Sequence, residues 1–187
     1  MGFRAAVSGS SVLLAWSTLS ETDNAGFSVE QATAVSVEDW SSWKELGFVD
    51  GNGTTDESQT YQYRVGDLSV GTHRFRLKQV DFDGAFEYSD MVEASVEVPG
   101  EYVLEAAYPN PFNPTTTIRF AVSTTQHVVA QLYDASGRIV RDLYSGSPEA
   151  NEMQTMTIDA TALASGTYQV RIEGERFSAS EQIMLVK

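Results

Sequence analysis

Cysteine is missing from this 187-residue chain, which removes disulfide frameworks, thiol nucleophiles and cysteine-bound zinc together. Histidine occurs only at His73 and His127, in different halves of the sequence. No serine stands in a nucleophile-elbow pattern, so no triad is suggested and both histidines read as ordinary strand residues. Long apolar runs are lacking as well: none approaches the roughly 20 residues of a membrane-spanning helix. Met1 and Gly2 lead directly into the strand-like Phe3–Val7 rather than into an export leader, so the signal of an exported protein is expected upstream of this segment. Cations are scarce. Twelve Lys/Arg against 26 Asp/Glu give a net charge of -14. Divided at Gly100, residues 1–100 carry 6 against 16 (-10) and residues 101–187 carry 6 against 10 (-4). Such a surface repels phosphate backbones and anionic lipid, which argues against nucleic-acid binding and membrane insertion. With 42% hydrophobic residues, 14 Gly and only 5 Pro, the whole chain is expected to fold, and its length suits two small domains.

Prolines are few but concentrated. Three of them, Pro109, Pro111 and Pro114, fall in Tyr108–Phe120, reading YPNPFNPTTTIRF. Each lacks a backbone donor, fixes its own φ and pushes the preceding residue toward extended geometry, so a helix cannot pass through. Ile118, Phe120 and Val122 then alternate with Thr117, Arg119 and Ala121, the period of a half-buried strand. The stretch therefore reads as a stiff lead-in to the first strand of a new unit.

Strand patterns fill the rest. In the first half they cover Val12–Trp16, Phe27–Gln31, Trp43–Val49 and Thr72–Val80, and then Phe86 through Val98. Thr22–Gly26 and Asp50–Thr54 have loop composition, and Asp81–Gly84 (DFDG) reads as a turn. In Thr72–Val80, Phe75 and Leu77 alternate with Arg74, Arg76 and Lys78, which predicts a core face and a basic stripe facing water. Pro99-Gly100 is a breaker pair, and alternation restarts at Tyr102–Leu104, which places a boundary near Gly100. Beyond it, Val128–Tyr133 and Arg138–Tyr144 flank a hairpin turn at Asp134–Gly137, in which Gly137 can take positive φ. Met156–Ala160, Tyr168–Ile172 and Ile183–Lys187 follow, the last expected to close a sheet at the chain end. The fold expected is all-β: two tandem sandwiches, 1–100 and 101–187.

Four pieces occur in order in the second half: YPNPFNPTTTIRF, QLYDASGRIVRDL at 131–143, LASGTYQVRI at 163–172, and an apolar strand ending in Lys187. Together they resemble the C-terminal sorting domain of the bacterial type IX secretion system, and they are also similar to the immunoglobulin-like domain of flagellar hook-capping proteins. VLLAWST at 12–18, ETDNAGFSVEQ at 21–31, ELGFVDGNGTT at 45–55 and RLKQVDFDGAFEYS at 76–89 resemble the fibronectin type III-like modules that precede such domains. His73 and Arg74 stand where many such modules have aromatic residues, so the resemblance carries no tyrosine corner to that strand. The resemblance implies a non-catalytic region of a larger secreted protein, read by the outer-membrane translocon together with shuttle and sortase components, with an upstream cargo domain in the same chain. It implies passage through the periplasm and outer membrane to the cell surface or medium. Candidate sorting-signal residues on the matching positions are Pro109, Asn110, Pro111, Phe112, Asn113, Pro114, Gly137, Gly166, Tyr168 and Lys187.

Other chemistries are less well supported. Asp81 and Asp83 form a carboxylate pair, but in a turn rather than the cleft a glycosidase dyad requires. Neither they nor Asp50 with Asn52 have the full acidic spacing of a calcium loop, and no catalytic residue, metal or cofactor is implied. Trp40, Trp43, Tyr61 and Tyr63 offer an aromatic platform for sugars, the basis of an alternative reading as a carbohydrate-binding or structural accessory module. Trp16 and Trp43 read more simply as core.

Overall fold

In the computed structural model, residues 2–33 and 42–187 are described. Trp40 lies outside the described residues. The chain divides into two compact units between Val96 and Glu97. All the regular structure described is strand.

The first unit contains β1 (Gly2–Ser8), β2 (Ser11–Thr18), β3 (Glu21–Thr33), β4 (Ser42–Thr55), β5 (Gln59–Val65), β6 (Gly71–Asp81), β7 (Phe86–Tyr88) and β8 (Val92–Val96). One sheet is ordered β1-β2-β5 and the other β4-β3-β6-β7, with β8 also pairing β6, all antiparallel. Alternation explains the core, since Val12, Leu14 and Trp16 of β2 face Phe27 and Val29 of β3 and Phe75 and Leu77 of β6. Trp16 meets Phe27 edge-on at 5.5 Å and stacks on Tyr61 at 5.5 Å, geometries aromatic quadrupoles favour.

The structure corrects three expectations here. Thr22–Gly26 and Asp50–Thr54 are not loops. They extend β3 and β4 as a ladder that pairs Glu21 with Thr55 through register shifts on both sides of Asn24. Their turn-like composition serves those bulges: Asp23 and Gly53 have φ of 55° and 67°, and Gly26 lies under Phe48, where a Cβ would come within 2.5 Å of the ring. Trp43 is not core. A further shift between Val29 and Glu30 inserts Leu46 into β4, which reverses the side-chain parity beyond it and turns Trp43 to the outer face. Nor is the basic stripe simply in water. The Arg76 guanidinium lies 4.1 Å from the Trp43 ring centroid and 3.8 Å from that of Tyr88, with Glu30 at 2.7 Å. Lys78 sits 4.2 Å above Phe86, and Arg74 meets Glu93 at 2.6 Å.

The polar centre of this unit is Glu21, a carboxylate only 4% exposed. It accepts hydrogen bonds from the Tyr61 hydroxyl, Thr18 Oγ1 (2.8 Å), Asn24 Nδ2 (2.9 Å) and the Asn52 amide (2.8 Å). Burial raises its pKa, and these donors outweigh burial, leaving it below its ordinary 4.5. Burial, and next the bond to Glu21, push Tyr61 up to about 12.

The second unit contains β9 (Tyr102–Leu104), β10 (Thr115–Val122), β11 (Val128–Tyr133), β12 (Ile139–Gly146), β13 (Gln154–Asp159), β14 (Gly166–Gly174) and β15 (Ser178–Leu185). Its sheets are β13-β10-β9 and β12-β11-β14-β15. Between them lie Ile118, Phe120, Val128, Leu132, Ile158, Val170 and Ile183, each at most 1% exposed. Two expectations are corrected. The proline stretch precedes the second strand of this unit, because the short β9 comes first. The last strand begins at Ser178 and ends at Leu185, its N-terminal half hidden from sequence reading by the weakly apolar Ser178–Gln182.

Expressed separately, residues 1–96 and 97–187 should each give a cooperative β-rich melt by circular dichroism; two unfolded fragments would show the division to be wrong. Glu21→Gln should cost about 2 to 4 kcal/mol at neutral pH. Because the folded-state pKa of Glu21 is depressed, its contribution is present above 4.5 and is lost as pH falls through the folded value. Tyr61, raised, contributes below its ordinary 10 and loses that contribution as pH climbs toward 12. Urea melts across pH should therefore show the gap between wild type and Glu21→Gln closing in acid, and an alkaline loss missing from Tyr61→Phe. A gap independent of pH would refute the role given to Glu21.

Candidate functional site

The proline stretch ties the two sheets of the second unit together. After β9, Glu105 N–H donates to Arg119 C=O at 2.9 Å, and Tyr108 exchanges both backbone bonds with Thr117 at 2.9 and 3.0 Å. The chain then leaves β10 for the other sheet. Phe112 bridges Leu185 in parallel, donating its N–H to Met184 C=O at 2.9 Å and accepting from Val186 N–H at 3.0 Å. Its ring, 2% exposed, belongs to the core.

Asn110 extends this pairing with its side chain. Its Oδ1 accepts from Met184 N–H and its Nδ2 donates to Gln182 C=O, both at 2.9 Å. One N–H and the oxygen of this amide are used, and together they do what a peptide unit does in a ladder. The bonds preceding Pro109, Pro111 and Pro114 are cis. Pro109 C=O accepts from Thr116 Oγ1 at 2.7 Å, and Pro114 C=O from Ala160 N–H at 2.8 Å. All of Pro109–Pro114 except Phe112 is exposed, as is Tyr108.

The chain end is also held. Lys187 N–H donates to Ser165 Oγ at 3.1 Å and its ammonium to Thr161 C=O at 2.7 Å. Thr161 in turn caps Asp159, donating its N–H at 2.9 Å and its hydroxyl at 2.5 Å to Oδ1. That hydroxyl is the first cause of a lowered Asp159 pKa.

Gly137, Gly166 and Tyr168 belong to the scaffold. Gly137, with φ of 80°, closes the β11–β12 turn by donating to Asp134 C=O at 2.9 Å. Asp134 accepts from Ser136 and Arg138 and is held well below the usual carboxylate range, the Ser136 hydroxyl being the largest cause. Tyr168, two residues into β14 from Gly166, is 8% exposed and donates its hydroxyl to Ala164 C=O at 2.7 Å, a tyrosine corner. The first unit repeats the spacing with another side chain. His73, two residues beyond Gly71, meets Ser69 C=O through Nε2 at 2.8 Å. A carbonyl only accepts, so Nε2 carries the proton and Nδ1 accepts from Gln31 Nε2 at 2.9 Å.

The structure does not assemble the proposed aromatic platform. Tyr61 is in the core, Tyr63 caps Leu46 C=O at 2.8 Å, and Trp43 faces outward on the other sheet. Asp81 and Asp83 frame a turn closed by Gly84 N–H to Asp81 C=O and Ala85 N–H to Asp83 Oδ1. The sequence points to Asn110, Phe112 and Lys187, and to Gln182 as an exposed tail residue, but not to the partners Thr161, Ser165 and Met184. Those partners act through backbone groups or lone hydroxyls, which leave no periodic signal.

Residues 106–187 match the family model described as the secretion system C-terminal sorting domain. No curated protein matches the chain. Three solved structures are similar over nearly all of it. One is dimeric latent PorU from Porphyromonas gingivalis, at 14% identity and a TM-score of 0.35, with 100% of this chain and 20% of that one covered. A tetra-tandem repeat from the extending region of a large adhesion protein gives 14% and 0.37, with 98% and 48% covered. Fibronectin(III)-like modules of Clostridium thermocellum CbhA give 13% and 0.34, with 95% and 86% covered. The chain thus spans about 20% of the length of the PorU chain.

Tyr168→Phe removes one hydrogen bond from a buried corner and should lower stability by about 1 kcal/mol while leaving the fold intact. Chemical denaturation with unchanged slope would register this as a shifted midpoint. A loss near zero would mean the corner is not a stabilising contact.

Proposed function

Because residues 106–187 belong to the secretion system C-terminal sorting domain family, we propose that the second unit is recognised as a folded body by the type IX outer-membrane translocon, aided by shuttle and sortase components. The sorting domain itself is non-catalytic and marks its protein for secretion or the cell surface. In this reading the first unit is a fibronectin type III-like spacer, a cargo domain precedes it in the same larger protein, and the route runs through the periplasm and outer membrane. No catalytic residue, cofactor or metal is assigned to the chain. The observation that carries the reading is the family match over the unit in which Asn110 and Phe112 grip the terminal strand.

Candidate signal residues divide by accessibility. Phe112 and Tyr168 are buried and act through folding. Pro109, Asn110, Pro111, Asn113, Pro114 and Lys187 are exposed and are the ones a receptor can touch. Placed behind a reporter bearing an export signal, residues 97–187 should deliver it to the surface of a bacterium with a type IX system. Leu185→Ala, 1% exposed in wild type, should cost roughly 2 to 5 kcal/mol and impair delivery through folding. Lys187→Ala should impair delivery with little change in the melt. A folded wild-type unit that leaves its reporter in the periplasm would defeat the sorting reading.

A further inference from the structure

We propose that Pro109–Pro114 is an edge stop: a segment of this chain that takes the outer hydrogen-bonding edge at the C-terminal end of β15 and then, through its prolines, closes that part of the edge to any further strand. Left uncovered, β15 would be the last strand of the β12-β11-β14-β15 sheet. It would offer the N–H groups of Met184 and Val186 and the carbonyls of Gln182 and Met184 to any extended chain. Those four groups are the ones taken, two by the Asn110 amide and two by the Phe112 backbone.

A covering strand ordinarily passes the problem outward, because its own far edge becomes the new template. This one does not. Of its six residues, Pro109, Pro111 and Pro114 have no N–H, and that of Phe112 is spent on Met184. Only Asn110 and Asn113 have N–H groups left to offer, too few to seed a ladder. Asn110 explains how so proline-rich a segment can pair at all, because its side chain supplies the N–H donor that the neighbouring prolines lack, together with an acceptor for Met184. A second copy of the chain therefore cannot add to the C-terminal end of β15, and a protein that meets the tail there is left side chains rather than a free strand edge. This goes beyond the sorting function and does not depend on it.

The test uses the full chain. In Asn110→Ala the Met184 amide should exchange with solvent roughly three to ten times faster, while that of Val170, inside the β14 ladder, stays unchanged. In Pro109→Ala/Pro111→Ala, which adds two donors to the outer edge, sedimentation velocity should reveal dimers or longer assemblies at concentrations where wild type is monomeric, with the melt retained. An unchanged Met184 exchange rate in Asn110→Ala overturns the proposal. So does a folded double-proline variant as monomeric as wild type. If the double variant does not fold, the Met184 rate decides alone.

Discussion

The last strand of a sheet presents unpaired N–H and C=O groups that can template another chain, and in the second unit the C-terminal end of β15 is covered by a segment arriving from the opposite sheet. Tyr108 is still bonded to Thr117 of β10 when the chain turns across, and Phe112 is bonded to Met184 and Val186. Sequence positions more than 70 apart are thereby held at one border, with Asn110 reaching Gln182 and Met184. The crossing also places the Phe112 ring in the core between the sheets, so the apolar and polar requirements of the segment are satisfied by one conformation. The prolines are compatible with this position because a border strand needs few donors, whereas in a central strand such as β14 each would cost a ladder bond.

The first unit faces a different constraint. Residues 1–100 carry a net charge of -10, and several of their carboxylates are drawn into structure, among them Glu21 under four donors, Glu30 on Arg76, and Glu93 on Arg74. Burying Glu21 would be prohibitive unpaired. The bulges around Asn24 are what bring Asn24 Nδ2 and the Asn52 amide to the same carboxylate. The irregular end of the β3–β4 hairpin is therefore the means by which a charged side chain enters an apolar sandwich, and Tyr61 joins that cluster to the Trp16 and Phe27 rings.

Where the chain alternates cleanly, the sequence was legible. Val128–Tyr133 appears with the expected ends because Val128, Ala130 and Leu132 face the core without interruption. Legibility failed at three kinds of feature. Bulges reverse parity, as Leu46 does to Trp43. Glycine and Asx residues read as loops even where they sit inside paired strands, as Asn24 of β3 and Asn52 of β4 do while both bond Glu21. Strands of small polar residues fall below the apolar signal, as Ser178–Gln182 does. At the candidate site, the proline motif itself was visible, but its position as a bridge to β15 was not, since nothing in a local pattern indicates which distant strand a single residue such as Phe112 will pair with.

These constraints bear on how the unit that matches the sorting-domain family model is organised. The residues that make the family motif conspicuous in sequence are largely those that make the fold: Phe112 fills the core, Tyr168 closes a corner, and Gly137 permits a turn. Asn110, although exposed, has its amide consumed by the tail, and Lys187 is pinned to Ser165 and Thr161. An extended peptide signal requires free backbone groups, and at this border they are already bonded within the domain. What stays outward is side-chain surface, Tyr108 at 82% exposure with Met184 and Val186 at 47% and 49%, and its arrangement exists only when β15 and the proline segment are paired. That surface therefore exists only where the sequence is present and the unit has folded.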